Sequence, residues 1–163
     1  WYGESCGRQD IYSNGRRTWN ESEKIRQLGA GMDNIFKLNR GDIVYVELGQ
    51  HPGSSIQSGR RPCVVVSCSC DNNIKGNPII NVCPCTTKYE KRRMKTHVLL
   101  RREDVEGYLA KSSLILVEQS VPADKNRIIC KVGKVINDKV MKELDEALLY
   151  RFSLMREGAC GTQ

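Results

Sequence analysis

The chain has 163 residues, enough for one domain with a sizeable core and an appendage. With 39% hydrophobic and 28% charged residues it reads as soluble and globular, and no apolar run approaches the ~18 residues of a membrane span, which excludes a helical membrane protein. A net charge of +7 and a pI near 9.0 favour an anionic partner, nucleic acid being one class, without bearing on the fold.

Residues 1–31 are polar and glycine-rich, and WYGESCGRQD lacks the apolar segment of a secretory signal. NESEKIRQLG has the marks of a short helix, with Asn20 as cap, Glu23 completing a capping box and Gly29 ending it. One short apolar face cannot fold alone. Residues 1–37 are therefore expected to form an extension, docked or flexible, ahead of a domain over 38–154 and a tail over 155–163.

From Leu38 the texture turns to β. GDIVYVELG (41–49) sets Ile43, Tyr45 and Glu47 against Val44, Val46 and Leu48, a first strand with apolar residues on both faces. HPGSSIQSGRR (51–61) is a loop ending on two arginines. PCVVVSCSC (62–70) is a β-branched central strand, DNNIKGNP a turn, and PIINVCPC (78–85) the returning strand. The basic loop TTKYEKRRMK leads to a short strand THVLL (96–100). REDVEGYLA is expected to form one or two helical turns, followed by strands SSLILVEQS (112–120) and, after the loop VPADKNR, IICKVGKV (128–135). NDKVMKELDEALLYRFSL (137–154) has helical spacing. Val140, Met141, Leu144, Ala147, Leu148 and Phe152 share one face, Asn137 or Asp138 caps the start, and Arg151 suits the C-terminal dipole. About six strands with tight turns and one terminal helix give a mainly β, α+β domain: a small antiparallel, barrel-like sheet with helical additions.

Eight cysteines without a secretory signal suit a reducing cytoplasm. Cys68/Cys70 and Cys83/Cys85 are C-x-C pairs on β-patterned runs, where residues two apart share a face. The spacing differs from the C-x2-C of zinc knuckles, so these cysteines are expected in the core rather than on a metal; oxidation or crosslinking is the remaining reading. No metal or other cofactor is expected.

The ordered set RGDIVYVELG, a Gly-Ser loop closing on GRRPCVVVS, then CPCTTK, THV, LILVEQ and LDEAL in the last helix resembles the MazF/PemK toxin family over about residues 38–154. These are ribosome-independent endoribonucleases of toxin–antitoxin systems. The resemblance implies a small SH3-like β-barrel, shared with the gyrase poison CcdB, and a cytoplasmic homodimer. It also implies a groove that takes single-stranded RNA, such as mRNA, or a segment of the cognate antitoxin.

RNA can be cut without metal when the ribose 2′-oxygen attacks its own phosphorus and the 5′-oxygen leaves, giving 2′,3′-cyclic phosphate and 5′-hydroxyl ends. That step needs charge stabilisation on the phosphoryl oxygens and proton transfer at the two ribose oxygens. By the resemblance, Arg61 of the R-P motif is catalytic, and a planar guanidinium suits charge stabilisation. Thr86 is the second catalytic residue, a hydroxyl donor aimed from a strand end. His97 of T-H-V belongs to the same site, as a base or as a donor to phosphate. Ser54, Gln57, Arg60, Thr87 and Lys88 are expected to contact RNA, and Glu118 and Gln119 to read base edges. Between Thr86 and Arg102 stand seven Lys or Arg residues and one acid, Glu90, a run suited to the phosphate backbone; Tyr89 could stack on a base. His51 lies in no motif and reads as surface. One departure stands out. Where many relatives read G-S-E-Q-x-G-x-R-P, this loop reads G-S-S-I-Q-S-G-R-R-P, one residue longer, with Ile56 in place of the acid. The other readings are a CcdB-like toxin that binds gyrase and an inactive RNA-binding module.

Overall fold

The computed structural model describes residues 37–88 and 94–154, together with the two-residue strands Tyr12–Ser13 and Arg16–Arg17, which pair antiparallel. The helix expected over 20–29, part of the basic loop with Tyr89 and Glu90, and the tail lie outside the described residues.

Strand β1 (Asp42–Glu47) is buried along nearly its whole length. Alternation splits it between two apolar clusters: Ile43 and Tyr45 enter one, Val44 and Val46 the other. A strand with two apolar faces must be covered on both, and it therefore sits inside the sheet, between β2 (Arg60–Val65) and β8 (Ile128–Val135). The remaining strands are β3 (Ile79–Thr86), β4 (His97–Leu100), β5 (Val105–Gly107), β6 (Ser113–Leu116) and β7 (Val121–Asp124). They form one antiparallel eight-stranded sheet in the order β4-β6-β3-β2-β1-β8-β5, with β7 beside the start of β3. The sheet curls into a half-barrel. Two register shifts along β8 against β1 contribute, since an extra residue on one strand sharpens its twist. At the far edge, Gly107 has φ +107°, and a Cβ there would lie 2.4 Å from the Val132 carbonyl oxygen, so only glycine lets β5 pair this closely with β8.

A helix, here α2 (Asp138–Arg151), covers one face as its periodicity requires. The Asn137 side chain accepts from the Lys139 N–H at 3.0 Å and caps it. Val140, Leu144 and Ala147 are buried in the first cluster, with Met141 and Leu148 packed at its margin. Phe152 departs from the expected face: the helix ends at Arg151, and Phe152 is 57% exposed beyond it. The guanidinium of Arg40 bonds both the Val66 carbonyl and the Asp145 carboxylate, tying sheet to helix. Asp42 is wholly buried, and its Oδ2 is held by Lys131 Nζ at 2.8 Å and the Asn39 N–H at 2.7 Å, as a buried carboxylate requires.

Three other expectations change. REDVEGYLA yields one 3-10 turn (Arg102–Asp104) and then β5 rather than further helix. The Asp104 carboxylate caps the start of this turn by accepting from the Arg101 N–H and ties it to the end of β8 by accepting from the Asn137 amide. VPAD, read as loop, is β7. The run 62–70 is not one strand: β2 ends at Val65, and the buried Asn72 folds back on Ser67 to start a four-residue helix, α1 (Ser69–Asn72). Cys68 and Cys70 are therefore exposed, against the expectation of a core position, whereas Cys83 and Cys85 are buried as expected, and so are Cys63 and Cys130. No helix among the described residues is long and apolar enough to cross a membrane.

Two measurements check this packing. Leu144→Ala should cost about 2–5 kcal/mol in urea unfolding, and Phe152→Ala no more than about 0.5 kcal/mol. Thiol alkylation mapped by mass spectrometry should label Cys68 in the native protein and spare Cys63, Cys83 and Cys85. The N–H groups of Asp71 and Cys70 lower the Cys68 pKa, so its labelling should rise at lower pH than a free thiol's. Burial raises the other three, Cys83 to about 11.

Candidate functional site

Sheet register gathers the expected residues. Across β2 and β3, Cys63 faces Pro84 and Val65 faces Val82. The same register carried two residues past the end of this ladder would set Arg61 opposite Thr86. Arg61 also faces Val46 on β1, and Thr86 faces Leu114 on β6. Leu114–Thr86 and Arg61–Val46 are thus two ladder pairs of one row on one face, each pair on strands about 4.8 Å apart. The ladder between β2 and β3 ends at Cys63 and Pro84, so the Arg61–Thr86 pair stands where the two strands part. His97 faces Leu116, on the same face and in the adjacent row, but β6 separates it from Thr86 by about 10 Å across the sheet.

The side chains are held by the protein in specific ways. Arg61 is half-buried, and its Nε donates to the Ser58 carbonyl at 2.8 Å, which leaves the guanidinium tip for a ligand. Thr86 is buried, and its Oγ1 accepts from the Lys88 N–H at 3.3 Å. The His97 side chain is 2% exposed, with Nε2 at 3.0 Å from Glu118 Oε1 and Nδ1 at 3.5 Å from the Met94 N. Since a backbone N–H can only donate, Nδ1 is the acceptor and Nε2–H points to Glu118.

The 3-10 turn Val117–Gln119 joins β6 to β7. Gln119 braces the loop between β1 and β2: its Oε1 accepts from the Gln57 N–H at 2.7 Å, and its Nε2 donates to the Ser55 carbonyl at 3.3 Å. The two residues expected to read bases therefore spend their side chains on the protein, Glu118 on His97 and Gln119 on the loop. Ser54, Arg60, Thr87 and Lys88 are exposed near the row. Ser54 Oγ accepts from the Ile56 N–H at 3.1 Å, and Arg60 pairs with Glu47 at 3.2 Å, a surface pair that constrains little.

Sequence reasoning missed a cleft of about 210 Å³ beside this row. Glu47, His51 and Ile56, from β1 and the loop after it, line it together with Pro84, Pro122 and Arg127. Its second wall is β7, which had read as loop because its alternation is short and broken by Pro122.

Residues 39–152 match the family described as PemK-like, MazF-like toxin of type II toxin–antitoxin system. The chain belongs to this family. It is 34% identical over 111 residues to the endoribonuclease MazF of Staphylococcus saprophyticus, an alignment covering 68% of this chain and 88% of that protein. Among solved structures it is similar to a mycobacterial endoribonuclease in complex with its cognate antitoxin, with a TM-score of 0.57 at 19% identity over 72% of this chain and 97% of that one. It is also similar to MazF of Deinococcus radiodurans, with a TM-score of 0.56 at 20% identity over 71% and 96%. These structures share the PemK/MazF fold: a curled antiparallel sheet, mostly β, with a C-terminal helix.

If Gln119 is a brace, Gln119→Ala should speed amide hydrogen exchange at Gln57 and its neighbours while lowering global stability by only about 1 kcal/mol. Unchanged exchange in the loop would refute the brace.

Proposed function

We propose that this toxin is an endoribonuclease that cleaves single-stranded RNA by attack of the ribose 2′-oxygen, leaving 2′,3′-cyclic phosphate and 5′-hydroxyl ends. The observation that supports this reading is that Arg61 and Thr86 lie on one face of adjacent strands, just past the end of the ladder between those strands. A scissile phosphate between them would meet a permanent, planar positive charge and a hydroxyl donor. Arg61 grips the non-bridging oxygens and stabilises the charge that grows there, and Thr86 exchanges its bond from Lys88 for one to the phosphoryl group. The neutralising charge comes from arginine, so the reaction requires no metal.

His97 stays on Glu118 and holds the β4–β6 corner rather than taking the 2′ proton, since both ring nitrogens are engaged and β6 intervenes. The 2′ proton passes to water, which also reprotonates the 5′-oxygen. Ser54, Gln57, Arg60, Thr87 and Lys88 flank the row, and Lys88, Arg101 and Arg102 are exposed cations that suit a phosphate backbone. The functional unit is a homodimer, and the RNA groove is blocked by a cognate antitoxin, as the antitoxin-bound relative suggests.

Purified protein should cut a long unstructured RNA in EDTA, and the 3′ ends should resist ligation until the cyclic phosphate is opened and the resulting monophosphate removed. Arg61→Ala should reduce cleavage about 100-fold or more, with Thr86→Val also reducing it. No cleavage by folded wild-type protein would sink the enzyme reading, and full activity in Arg61→Ala would sink the site.

A further inference from the structure

The residues expected to read bases, Glu118 and Gln119, have their carboxylate and amide committed to His97 and to the β1–β2 loop. Sequence selection then needs another set of side chains. The geometry points to the cleft under that loop as a subsite for one unpaired nucleobase of the RNA, with Ile56, His51 and Arg127 as its specificity-determining residues. This inference rests on the ribonuclease reading above and deepens it.

Position supports it first. The cleft reaches Val46, the ladder partner of Arg61, and Pro84, two residues before Thr86 on the same face of β3. Two residues along a strand span about 7 Å, so a base lying in the cleft belongs to a nucleotide next to the phosphate held by Arg61 and Thr86.

Chemistry supports it second. Pro84, Val121 and Pro122 supply an apolar floor on which a base can stack, and His51 and Arg127 are exposed at the rim. An imidazole and a guanidinium can each stack on a base or bond its edge, which is how unpaired bases are held. Ile56 is 51% exposed beside them. A large aliphatic group there is poorly placed in water and well placed against a base face. It also occupies the position where relatives with the G-S-E-Q loop carry an acid, so the side chain facing the base differs in kind from theirs. Gln119 then acts indirectly, as a positioning residue that keeps the loop over the cleft.

The test is cleavage of a randomised single-stranded RNA pool by the full chain, with every cut site sequenced, for wild type, Ile56→Glu and Arg127→Ala. Both side chains are exposed, so the variants should fold, and circular dichroism checks this. At one nucleotide position next to the cut, the wild-type preference should fall about tenfold in each variant, with preferences elsewhere retained. Identical preferences at every position in both variants would overturn the subsite. If wild type cuts nothing, the ribonuclease reading fails separately, and the subsite is read by anisotropy of short RNAs that differ at a single base. Binding to the non-cutting wild-type protein should then discriminate between bases and lose that discrimination in Ile56→Glu or Arg127→Ala. Equal binding of all the RNAs would overturn it.

Discussion

The sheet is organised around the need to bury both faces of β1. Ile43 and Tyr45 point one way, Val44 and Val46 the other, and neither pair can be left in water. A flat sheet with one helix covers a single face. Here α2 and the strands β4 and β6 enclose the first cluster, while the curl of the sheet, closed by β7, encloses the second. Burial of each large aliphatic side chain contributes about 1.5–3 kcal/mol, so the curl is strongly favoured over any open arrangement. Asp42, held by Lys131 at the first residue of β1, places a buried charge pair where the strand enters this core.

The curl also makes the site. β3 pairs with β2 along one edge; along the other it pairs first with β7 and then with β6. The chain must turn from β6 to β7 beside it, and the turn Val117–Gln119 does so. The side chains on that corner become braces, Glu118 onto β4 through His97 and Gln119 onto the β1–β2 loop. At the opposite edge the β2–β3 ladder runs out just before Arg61 and Thr86, which pair instead with β1 and β6. The same bending that buries the core leaves two polar side chains on one face at the end of that ladder, Arg61 half-buried and Thr86 buried. A net charge of +7 favours an anionic partner for such a chain.

Much of this was legible in the residues. The two-faced apolar pattern of 41–49 marked the inner strand, and the 3.6-residue spacing of Val140, Leu144 and Ala147 marked the helix. Family motifs named Arg61, Thr86 and His97. What misled was local pattern without context. Cys68 and Cys70 continue the β-like alternation of PCVVV, yet the chain turns at Ser67 because Asn72 bonds back to it, a contact across five residues that periodicity does not register. Phe152 fits the helical face on a wheel, but the helix stops at the residue before it. β7 is short and carries a proline, so only its pairing with β3 identifies it as a strand.

By itself, then, the sequence determined the strands with strong alternation, the terminal helix, the cationic character and the identity of the chemically capable residues, because periodicity, capping and charge are properties of neighbouring positions. Tertiary structure alone decided which of those residues meet. Arg61 and Thr86, twenty-five positions apart, come to one face of adjacent strands through sheet register. Glu118 and Gln119 become struts through partners on other strands, and the cleft beside them exists only because β7 closes on the loop after β1. Register and partner choice are non-local, set by how the sheet bends to bury β1.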